Sequence, residues 1–360
     1  MKQAAEQRPP RPSNGCSWIP FLLIASIALV LWATTSFVVL LPTIVPSLLE
    51  VARSEKTPPS AFTMTVGVTM FTVFQVIFAL LVVSALRTVF TAPGHIPAWL
   101  RSDGKSDLHS YSNLLQAVER KRDGSPRFCR KTGAYKPDRA HYCSEVNDCV
   151  LCYQAFSSCL NSAIGYYNYK FYLLTLFYAS LNAAWVLAAT LPEVILLGRN
   201  GGFTASQMLE LQRLHSMGGE DDGNGGVMAA SEPLPEAGPW TRMVAWAVVN
   251  TQQSAAAEAQ QWVVDAVILI TMGLACLCLV PCIYMIGLHV WLIAQGRTEY
   301  EWRCIQRGRR PDIKSQFDYG YVNNFALTLG IYPLAWLLPT RHGIVGNGIF
   351  FAEQDRLGMH

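Results

Sequence analysis

The chain has 360 residues, of which 51% are hydrophobic and 15% are charged, and its formal net charge is +3 at pH 7. Soluble domains usually carry about 25% charged residues, so this composition indicates membrane-spanning segments. A net charge this small gives no reason to expect a nucleic-acid partner.

Four apolar runs are long enough to cross a bilayer. They cover residues 18–46, 62–86, 171–197 and 263–293, and each exceeds the roughly 20 residues that a helix needs to span about 30 Å of hydrocarbon. A backbone in lipid must satisfy its own hydrogen bonds, so each run is predicted to be a helix. The first run is too long for a signal peptide. We predict an all-α integral membrane protein with four transmembrane helices, the first two within residues 18–86.

The distribution of Lys and Arg predicts the orientation of these helices. Residues 1–17, 87–170 and 294–360 carry 23 of the 28 basic residues, whereas residues 49–61 and 198–262 carry the other five. The positive-inside rule therefore places both termini and the 87–170 segment in the cytosol, and the 198–262 loop in a lumen or outside the cell. We expect a multi-pass protein of the endomembrane system, in the Golgi, endoplasmic reticulum or plasma membrane.

The remaining soluble segments carry less information. Residues 1–17 are rich in proline and polar residues, which predicts a disordered N-terminus, and residues 294–360 form a cytosolic C-terminal region. Within the spans only Glu193 and Asp265 carry charge, and both lie near the lumenal ends. Ion and proton pathways need charges near the middle of the membrane, so a transporter is disfavoured.

The cytosolic segment between the second and third spans is rich in cysteine. Because the cytosol keeps thiols reduced, these cysteines favour metal binding or thiol chemistry over disulfides. Cys149 and Cys152 form a C-x₂-C pair, the spacing common in zinc sites. One interpretation is a single zinc site of Cys143, Cys149, Cys152 and His141. The other is a set of reduced cysteines in a folded loop.

Many residues of this segment stand at the spacing of a known cysteine-rich pattern. They are Cys129, Lys136, Pro137, Arg139, His141, Cys143, Cys149, Val150, Asn161, Gly165, Asn168 and Phe171. With them the segment resembles the cysteine-rich domain of the Asp-His-His-Cys (DHHC) protein S-palmitoyltransferases, in which KPxR, HHC, DHHC and a final Gly, Asn and Phe occur in that order.

Three shorter matches support the resemblance. Ala92-Pro93-Gly94 follows the second span where the family has Asp-Pro-Gly, and residues 298–301 follow the fourth span where it has Thr-Thr-x-Glu. Gly320, Asn324 and Gly330 match its C-terminal element. The resemblance implies a membrane protein that transfers an acyl chain from acyl-CoA to an enzyme cysteine and then to cysteines of cytosolic substrate proteins.

The catalytic positions of that family are replaced in this chain. The DHHC tetrad falls on Gln154, Ala155, Phe156 and Ser157. A cysteine thiolate is the nucleophile of such a transfer, a His takes its proton and an Asp orients the His. Here Ser157 stands at the nucleophile position, Ala155 removes the base and Gln154 has no charge. Cys159 and Cys152 are possible substitute nucleophiles, and His141 is a possible distant base.

The zinc positions implied by the resemblance are also incomplete. The first of the family's two CCHC sites keeps Cys129 and Cys149, with Thr132 and Tyr142 at the other positions. The second keeps only Cys143, with Val146, Phe156 and Ala163 in place of ligands. We therefore expect zinc to be partial or absent. Packing of aromatic side chains is expected to compensate, namely Tyr135, Tyr142, Tyr153 and Phe156.

Three functions remain open from the sequence. The first is a catalytically degenerate S-palmitoyltransferase homologue, a pseudoenzyme that still binds the bilayer, acyl-CoA or acyl chains. The second is an active acyltransferase that uses Cys159 or Cys152. The third is a non-catalytic scaffold or regulator of active relatives. In each case membrane-proximal cysteines can themselves carry an acyl chain.

The predicted orientation can be tested by inserting N-glycosylation acceptors near Gly104 and near Gly225. We expect glycosylation near Gly225 only, because the positive-inside rule places the 198–262 loop on the lumenal side. A gel-shift assay in microsomes, with and without glycosidase, measures this. Modification near Gly104 would refute the orientation.

Overall fold

A computed structural model gives the fold of the chain, which is largely helical. The structure describes residues 18–36, 61–101, 119–121, 123–199 and 255–351. Its helices are α1 (Ile19–Thr34), α2 (Ala61–Phe90), α3 (Tyr169–Arg199), α4 (Ala255–Ala294), α5 (Glu299–Gln306) and α6 (Tyr321–Leu329). Two short 3₁₀ helices cover Ala98–Leu100 and Pro333–Ala335.

Three of the described helices are long and apolar enough to cross a membrane. The candidate spans are Gly67–Phe90, Tyr169–Leu191 and Val263–Ala294, and they correspond to the second, third and fourth predicted runs. Helix α1 has 16 residues, which is shorter than a span needs. The remainder of the first predicted run, from residue 37 onward, lies outside the described residues.

The helices extend beyond the apolar runs into the predicted loop. Helix α3 reaches Arg199, and α4 begins at Ala255 rather than near residue 263. The added turns of α4 contain four alanines, the residue with the highest helix propensity. The predicted N-terminus (1–17) and the rest of the 198–262 loop lie outside the described residues, as do Gly104 and Gly225.

Between Phe128 and Ile164 the cysteine-rich segment forms strands and turns rather than helices, so the predicted all-α class was too narrow. Six strands form three antiparallel hairpins: β1 (Phe128–Cys129) with β2 (Ala134–Tyr135), β3 (His141–Cys143) with β4 (Asp148–Val150), and β5 (Ala155–Ser157) with β6 (Ser162–Ile164). Hydropathy periodicity does not reveal strands of two or three residues. The turns use residues with positive φ, including Gly133, Asn147 and Asn161, which are types that tolerate this conformation.

The chain divides into two compact units. One comprises described parts of Ser26–Phe78 and Ser180–Val280, and its core contains Leu31, Phe74, Val186 and Ala275. In this unit Trp32 stacks on Phe78 with ring centroids 5.3 Å apart. The Trp32 Nε1–H donates to Gln75 Oε1 at 2.7 Å, so this polar group is satisfied in an apolar core.

The other unit contains the three hairpins and the C-terminal helices. Asn168, which is fully buried, organises its centre: Nδ2 donates to the carbonyls of Thr88 and Ala163, and Oδ1 accepts from the N–H of Gly165. A Cβ at Gly165 would lie 2.4 Å from Val150 Cγ1, so only glycine fits there. These contacts explain two of the motif residues found in the sequence.

Two further motifs meet in one buried ion pair in this unit. Thr298 is the N-cap of α5, and with Glu301 it forms a capping box. The Glu301 carboxylate also pairs with the Arg139 guanidinium, whose Nε lies 3.0 Å from Oε1. Nη2 of Arg139 donates to the carbonyl of Gly296 at 3.0 Å. The KPxR and Thr-x-x-Glu motifs therefore join the hairpins to the start of α5.

We predict that Glu301→Gln strongly destabilises the protein. Glutamine at this position retains the capping box, so the change removes charge alone. An uncompensated buried Arg139 costs about 3–5 kcal/mol of unfolding free energy. Lys314→Ala is the control, since Lys314 is exposed and its pair with Asp318 is worth less than about 1 kcal/mol. Thermal unfolding in detergent micelles measures both; equal melting temperatures would contradict the prediction.

Candidate functional site

The segment at the tetrad positions forms the start of the third hairpin. Gln154 is buried, its N–H donates to the carbonyl of Ile164 at 2.9 Å, and its side-chain Oε1 accepts from the N–H of Glu299 at 2.8 Å. The amide therefore satisfies a free N–H in the first turn of α5. An uncharged amide in this contact cannot supply the negative charge that orients an imidazole.

The next positions carry no acid–base group. Ala155 is buried and pairs with Ile164 across the hairpin, while Ser157 pairs with Ser162. The Ser157 hydroxyl accepts a 3.4 Å hydrogen bond from the N–H of Leu160. Within the described ranges, neither an imidazole nor a carboxylate hydrogen-bonds to Ser157. An unactivated serine is a weak nucleophile.

A carboxylate and an imidazole do lie nearby, at positions that the sequence analysis did not select. Glu299 is buried; burial raises the pKa of its carboxyl, and Arg303, with which it pairs, opposes the shift. Glu299 Oε2 lies 3.8 Å from Nε2 of the fully buried His289. The other nitrogen of His289, Nδ1, lies 3.0 Å from the Tyr169 hydroxyl.

Cys152, one of the two substitute nucleophiles, lines a partly open cavity of about 80 Å³. The cavity is also lined by Gln154, Tyr169 and Arg139. Burial raises the pKa of the Cys152 thiol to about 12, although Arg139 opposes the shift. At neutral pH the thiol is therefore protonated. Cys152 is therefore poorly suited to attack a thioester in this conformation.

Cys159, the other substitute, lies in the turn between β5 and β6 and is exposed. In the part of the chain that the structure describes, it has no hydrogen bond to a histidine or carboxylate. Neither thiol therefore combines access with activation. Cys159 is accessible but has no hydrogen-bonded base, whereas Cys152 is buried and protonated.

The first set of zinc positions forms a thiol and hydroxyl cluster. Thr132 Oγ1 lies 3.6 Å from Cys149 Sγ. Burial raises the pKa of the Cys149 thiol to about 12. Burial is the largest single influence on Cys129, but hydrogen bonds from Thr132 and Cys149 and the charge of Lys136 together outweigh it and lower the pKa of that thiol. Tyr135 is buried in the same cluster, and Tyr142 packs against it.

The second set of zinc positions has become an apolar cluster. Cys143 and Ala163 are buried there with Val150 and Tyr153, and Val146, Phe156 and Tyr300 pack against them. The Cys143 thiol donates to Glu145 Oε2 at 3.1 Å, and burial raises its pKa to about 11. The four aromatic residues expected to compensate for lost zinc therefore pack around the two sets of positions.

The single zinc site of Cys143, Cys149, Cys152 and His141 stays a prediction, and in this conformation its members lie apart. Tyr142 pairs with Cys149 across β3 and β4, so Cys149 lies on the opposite sheet face from Cys143 and His141. Cys152 packs in a third cluster with Phe317 and Phe351. Among the described residues no three His, Cys, Asp or Glu side chains converge as metal ligands.

His141, the possible ligand and distant base of the sequence analysis, packs against an aromatic ring in this arrangement. Its ring stacks on Tyr300 with centroids 4.0 Å apart. Burial, reinforced by the positive charge of Arg127 and Arg310, holds its pKa well below the usual value, so the ring is neutral. Its Nε2 has no hydrogen-bond partner among the described residues.

Neither set of positions fits a structural zinc ion. Such sites need four Cys or His ligands in tetrahedral geometry. The first set offers two thiols beside a threonine hydroxyl and a tyrosine ring, and the second offers one thiol among apolar side chains.

The residues missed by the sequence analysis left one usable signal. In the Thr-Thr-x-Glu motif of the family, Glu299 replaces the second threonine. The N–H of this residue bonds to Gln154, so the motif and the tetrad are altered at two positions that touch each other. His289 and Tyr169 gave no such signal, because a histidine and a tyrosine at the end of an apolar run are common membrane-interface residues.

Comparison with known proteins gives one consistent result. The sequence model of the DHHC palmitoyltransferase family matches residues 122–305, slightly more than half of the chain. Danio rerio palmitoyltransferase ZDHHC15A is 24% identical over 253 residues, which cover 70% of this chain and 60% of the relative. Arabidopsis thaliana probable protein S-acyltransferase 16 is 26% identical over 271 residues, 73% of each chain.

A shorter match has higher identity. Arabidopsis thaliana probable protein S-acyltransferase 14 is 35% identical over 136 residues, which cover 36% of this chain and 44% of the relative. The chain thus spans less than two thirds of the length of ZDHHC15A and of S-acyltransferase 14.

We predict that the purified chain holds fewer than two zinc ions, because five of the eight implied ligand positions carry Thr, Tyr, Val, Phe and Ala. Elemental analysis by mass spectrometry measures the content, and EDTA should leave the melting temperature unchanged. A homologue with all eight ligands is the positive control, since a structural zinc contributes directly to folding. Two tightly held zinc ions per chain would overturn the prediction.

Proposed function

This chain belongs to the DHHC palmitoyltransferase family, and we propose that it is a catalytically degenerate member that binds the family's acyl substrates without transferring them through the tetrad positions. The observation that carries the proposal is the state of residues 154–157. Gln154 is engaged with Glu299, Ala155 has no functional group, and Ser157 has no base.

Chemistry at Ser157 opposes transfer for two separate reasons. Loss of a positioned base removes roughly 10²–10⁴ in rate. In addition, an acyl oxyester on serine is more stable than a thioester, so passing its chain to a substrate cysteine would be energetically uphill. The first obstacle slows loading of the enzyme, and the second blocks unloading even if loading occurs.

The two cysteine alternatives are less well supported by the environment of each thiol. Cys152 is buried and its pKa is raised to about 12, whereas Cys159 is exposed but lacks a hydrogen-bonded base within the described residues. Neither has both the access and the activation that a thiol nucleophile needs.

The rest of the proposal concerns the setting of the chain. Family membership supports acyl-CoA and proteins with cytosolic cysteines as binding partners, and the three candidate spans support a bilayer location. The excess of Lys and Arg in residues 87–170 and 294–360 supports a cytosolic site in an endomembrane compartment. Zinc, which the family uses, is partial or absent in this proposal.

We predict that the purified protein transfers no acyl chain from alkyne-labelled palmitoyl-CoA to a cysteine peptide above a protein-free control. Fluorescence after click chemistry measures the transfer, and hydroxylamine sensitivity identifies thioesters. Ser157→Cys alone should give at most weak autoacylation, because no imidazole stands at residue 155. Ala155 is buried beside Ile164, so the triple change Gln154→Asp, Ala155→His and Ser157→Cys must also make room for a ring.

The opposite outcome is equally specific. A hydroxylamine-sensitive adduct on the unchanged protein, abolished by Cys159→Ala or Cys152→Ala together with loss of peptide acylation, would show an active enzyme. An adduct without transfer would not, because other enzymes can acylate an exposed membrane-proximal thiol.

A further inference from the structure

The last described segment, Arg341–Phe351, crosses the surface of the hairpins; we call it the C-terminal strap. The Arg341 guanidinium lies 4.2 Å from the ring centroid of Tyr167. The carbonyl of Val345 accepts a 2.9 Å hydrogen bond from the Tyr166 hydroxyl. The strap lies beyond the C-terminal element that the motifs cover, and none of the motif residues predicts it.

The end of the strap packs into two clusters. Ile349 is buried with Cys129, Cys149 and Leu151. Phe351 is buried against Cys152 and against Phe317, with the two phenyl centroids 5.2 Å apart. Ile344 and Phe351 also line the cavity that contains Cys152 and Gln154. The strap therefore forms part of the wall between solvent and the first tetrad position.

The strap is held in a way that permits release. Its hydrogen bonds to the hairpins and to the α5–α6 connection run through tyrosine hydroxyls, on Tyr166, Tyr167 and Tyr319. The N–H groups of Ile349 and Phe350 bond locally to Asn347 Oδ1. Among the described residues, no N–H between Val345 and Phe351 pairs with a strand. The strap also has one backbone bond, from the Ile331 N–H to the Gly343 carbonyl at 3.0 Å, near its start. Releasing residues 345–351 thus breaks contacts made by side chains and leaves that bond and every hairpin ladder intact.

We propose that the C-terminal strap is a movable cover, which shields Cys152 and the Gln154 position and must move before a ligand or reagent reaches them. The proposal goes beyond the proposed function, because it concerns access to the cavity and holds whether or not the chain transfers acyl groups.

A glycine in the strap provides a way to loosen it without deleting it. Gly348 has φ +73°, and a Cβ there would lie 2.7 Å from Tyr166 Cγ. Gly348→Ala therefore strains the strap in two ways, because alanine disfavours the left-handed backbone and its methyl group would clash with the Tyr166 ring. Gly124→Ala is a matched control, because Gly124 has φ +76° and nothing lies within 4 Å of the position that an alanine methyl group would occupy there. Phe351→Ala tests the cover by removing the ring against Cys152.

The readout is the rate at which N-ethylmaleimide modifies each cysteine of the full chain in detergent micelles. The sulfur adds to one alkene carbon, the thiol proton ends on the neighbouring carbon, and nothing leaves. Chymotryptic peptides and fragment-ion mass spectrometry assign the sites. Cys159, which is exposed, is the reference thiol, and Cys143, buried in a cluster without strap residues, reports unfolding.

In the unchanged protein we expect Cys159 to react while Cys152 and Cys143 are protected. Gly348→Ala should accelerate modification of Cys152 about tenfold, the effect of a left-handed alanine on a local opening equilibrium. Phe351→Ala should accelerate it by at least as much, because it removes the ring that packs against Cys152. Cys143 should stay protected, and Gly124→Ala should match the unchanged protein. Equal Cys152 rates in all variants would refute the cover. A joint rise of Cys152 and Cys143 would also refute it, since the segment would then belong to the domain core.

Discussion

The buried contact between Arg139 and Glu301 is the interaction on which the hairpin unit depends. Arg139 has φ +60°, a conformation that costs a non-glycine residue about 1–2 kcal/mol. Its guanidinium binds Glu301 and the carbonyl of Gly296, and it lies 4.9 Å from the ring centroid of Phe317. Its N–H donates to Glu119 and its carbonyl accepts from Tyr153. One strained residue thus joins the hairpins to the end of α4, the start of α5 and the cavity wall.

The contact between Arg139 and Glu301 matters more for the stability of the hairpins because their implied zinc-ligand sets are incomplete. Structural zinc contributes about 10–16 kcal/mol in small zinc domains, whereas burying a side chain of the size of Phe or Val contributes about 1.5–3 kcal/mol. Several buried contacts are needed to offset one ion, and the two clusters around Cys149 and Cys143 supply them with aromatic and aliphatic side chains. The cover by Ile349 adds to the first cluster, and stacking of Tyr300 on His141 adds to the second.

Features that depend on local composition could be predicted from the sequence, whereas features that depend on contacts between distant residues could not. Hydropathy predicted α2, α3 and α4, since a helix in lipid needs only a long apolar run. Motif spacing assigned residues 154–157 to the tetrad, and the structure places Gln154 against Glu299, within the second motif. The hairpins were not predicted because strands of two or three residues are too short to show an alternating hydrophobic pattern. The C-terminal strap escaped because its partners, Tyr166 and Tyr167, lie about 180 residues away in the chain.

The pairing of Gln154 with Glu299 indicates how this site can remain stable without its catalytic charge. A carboxylate at residue 154 would accept from the N–H of Glu299, a residue that carries a buried carboxylate of its own. Like charges that share a buried site raise each other's energy. With glutamine at 154, the amide still accepts from that N–H, while Glu299 takes Arg303 as its partner and approaches His289. The negative charge lies on α5 instead of at residue 154, and Arg303, one helical turn away, compensates it. Restoring an acid at residue 154 alone therefore introduces repulsion unless Glu299 changes with it, so Glu299→Thr combined with Gln154→Asp should melt at a higher temperature than Gln154→Asp alone.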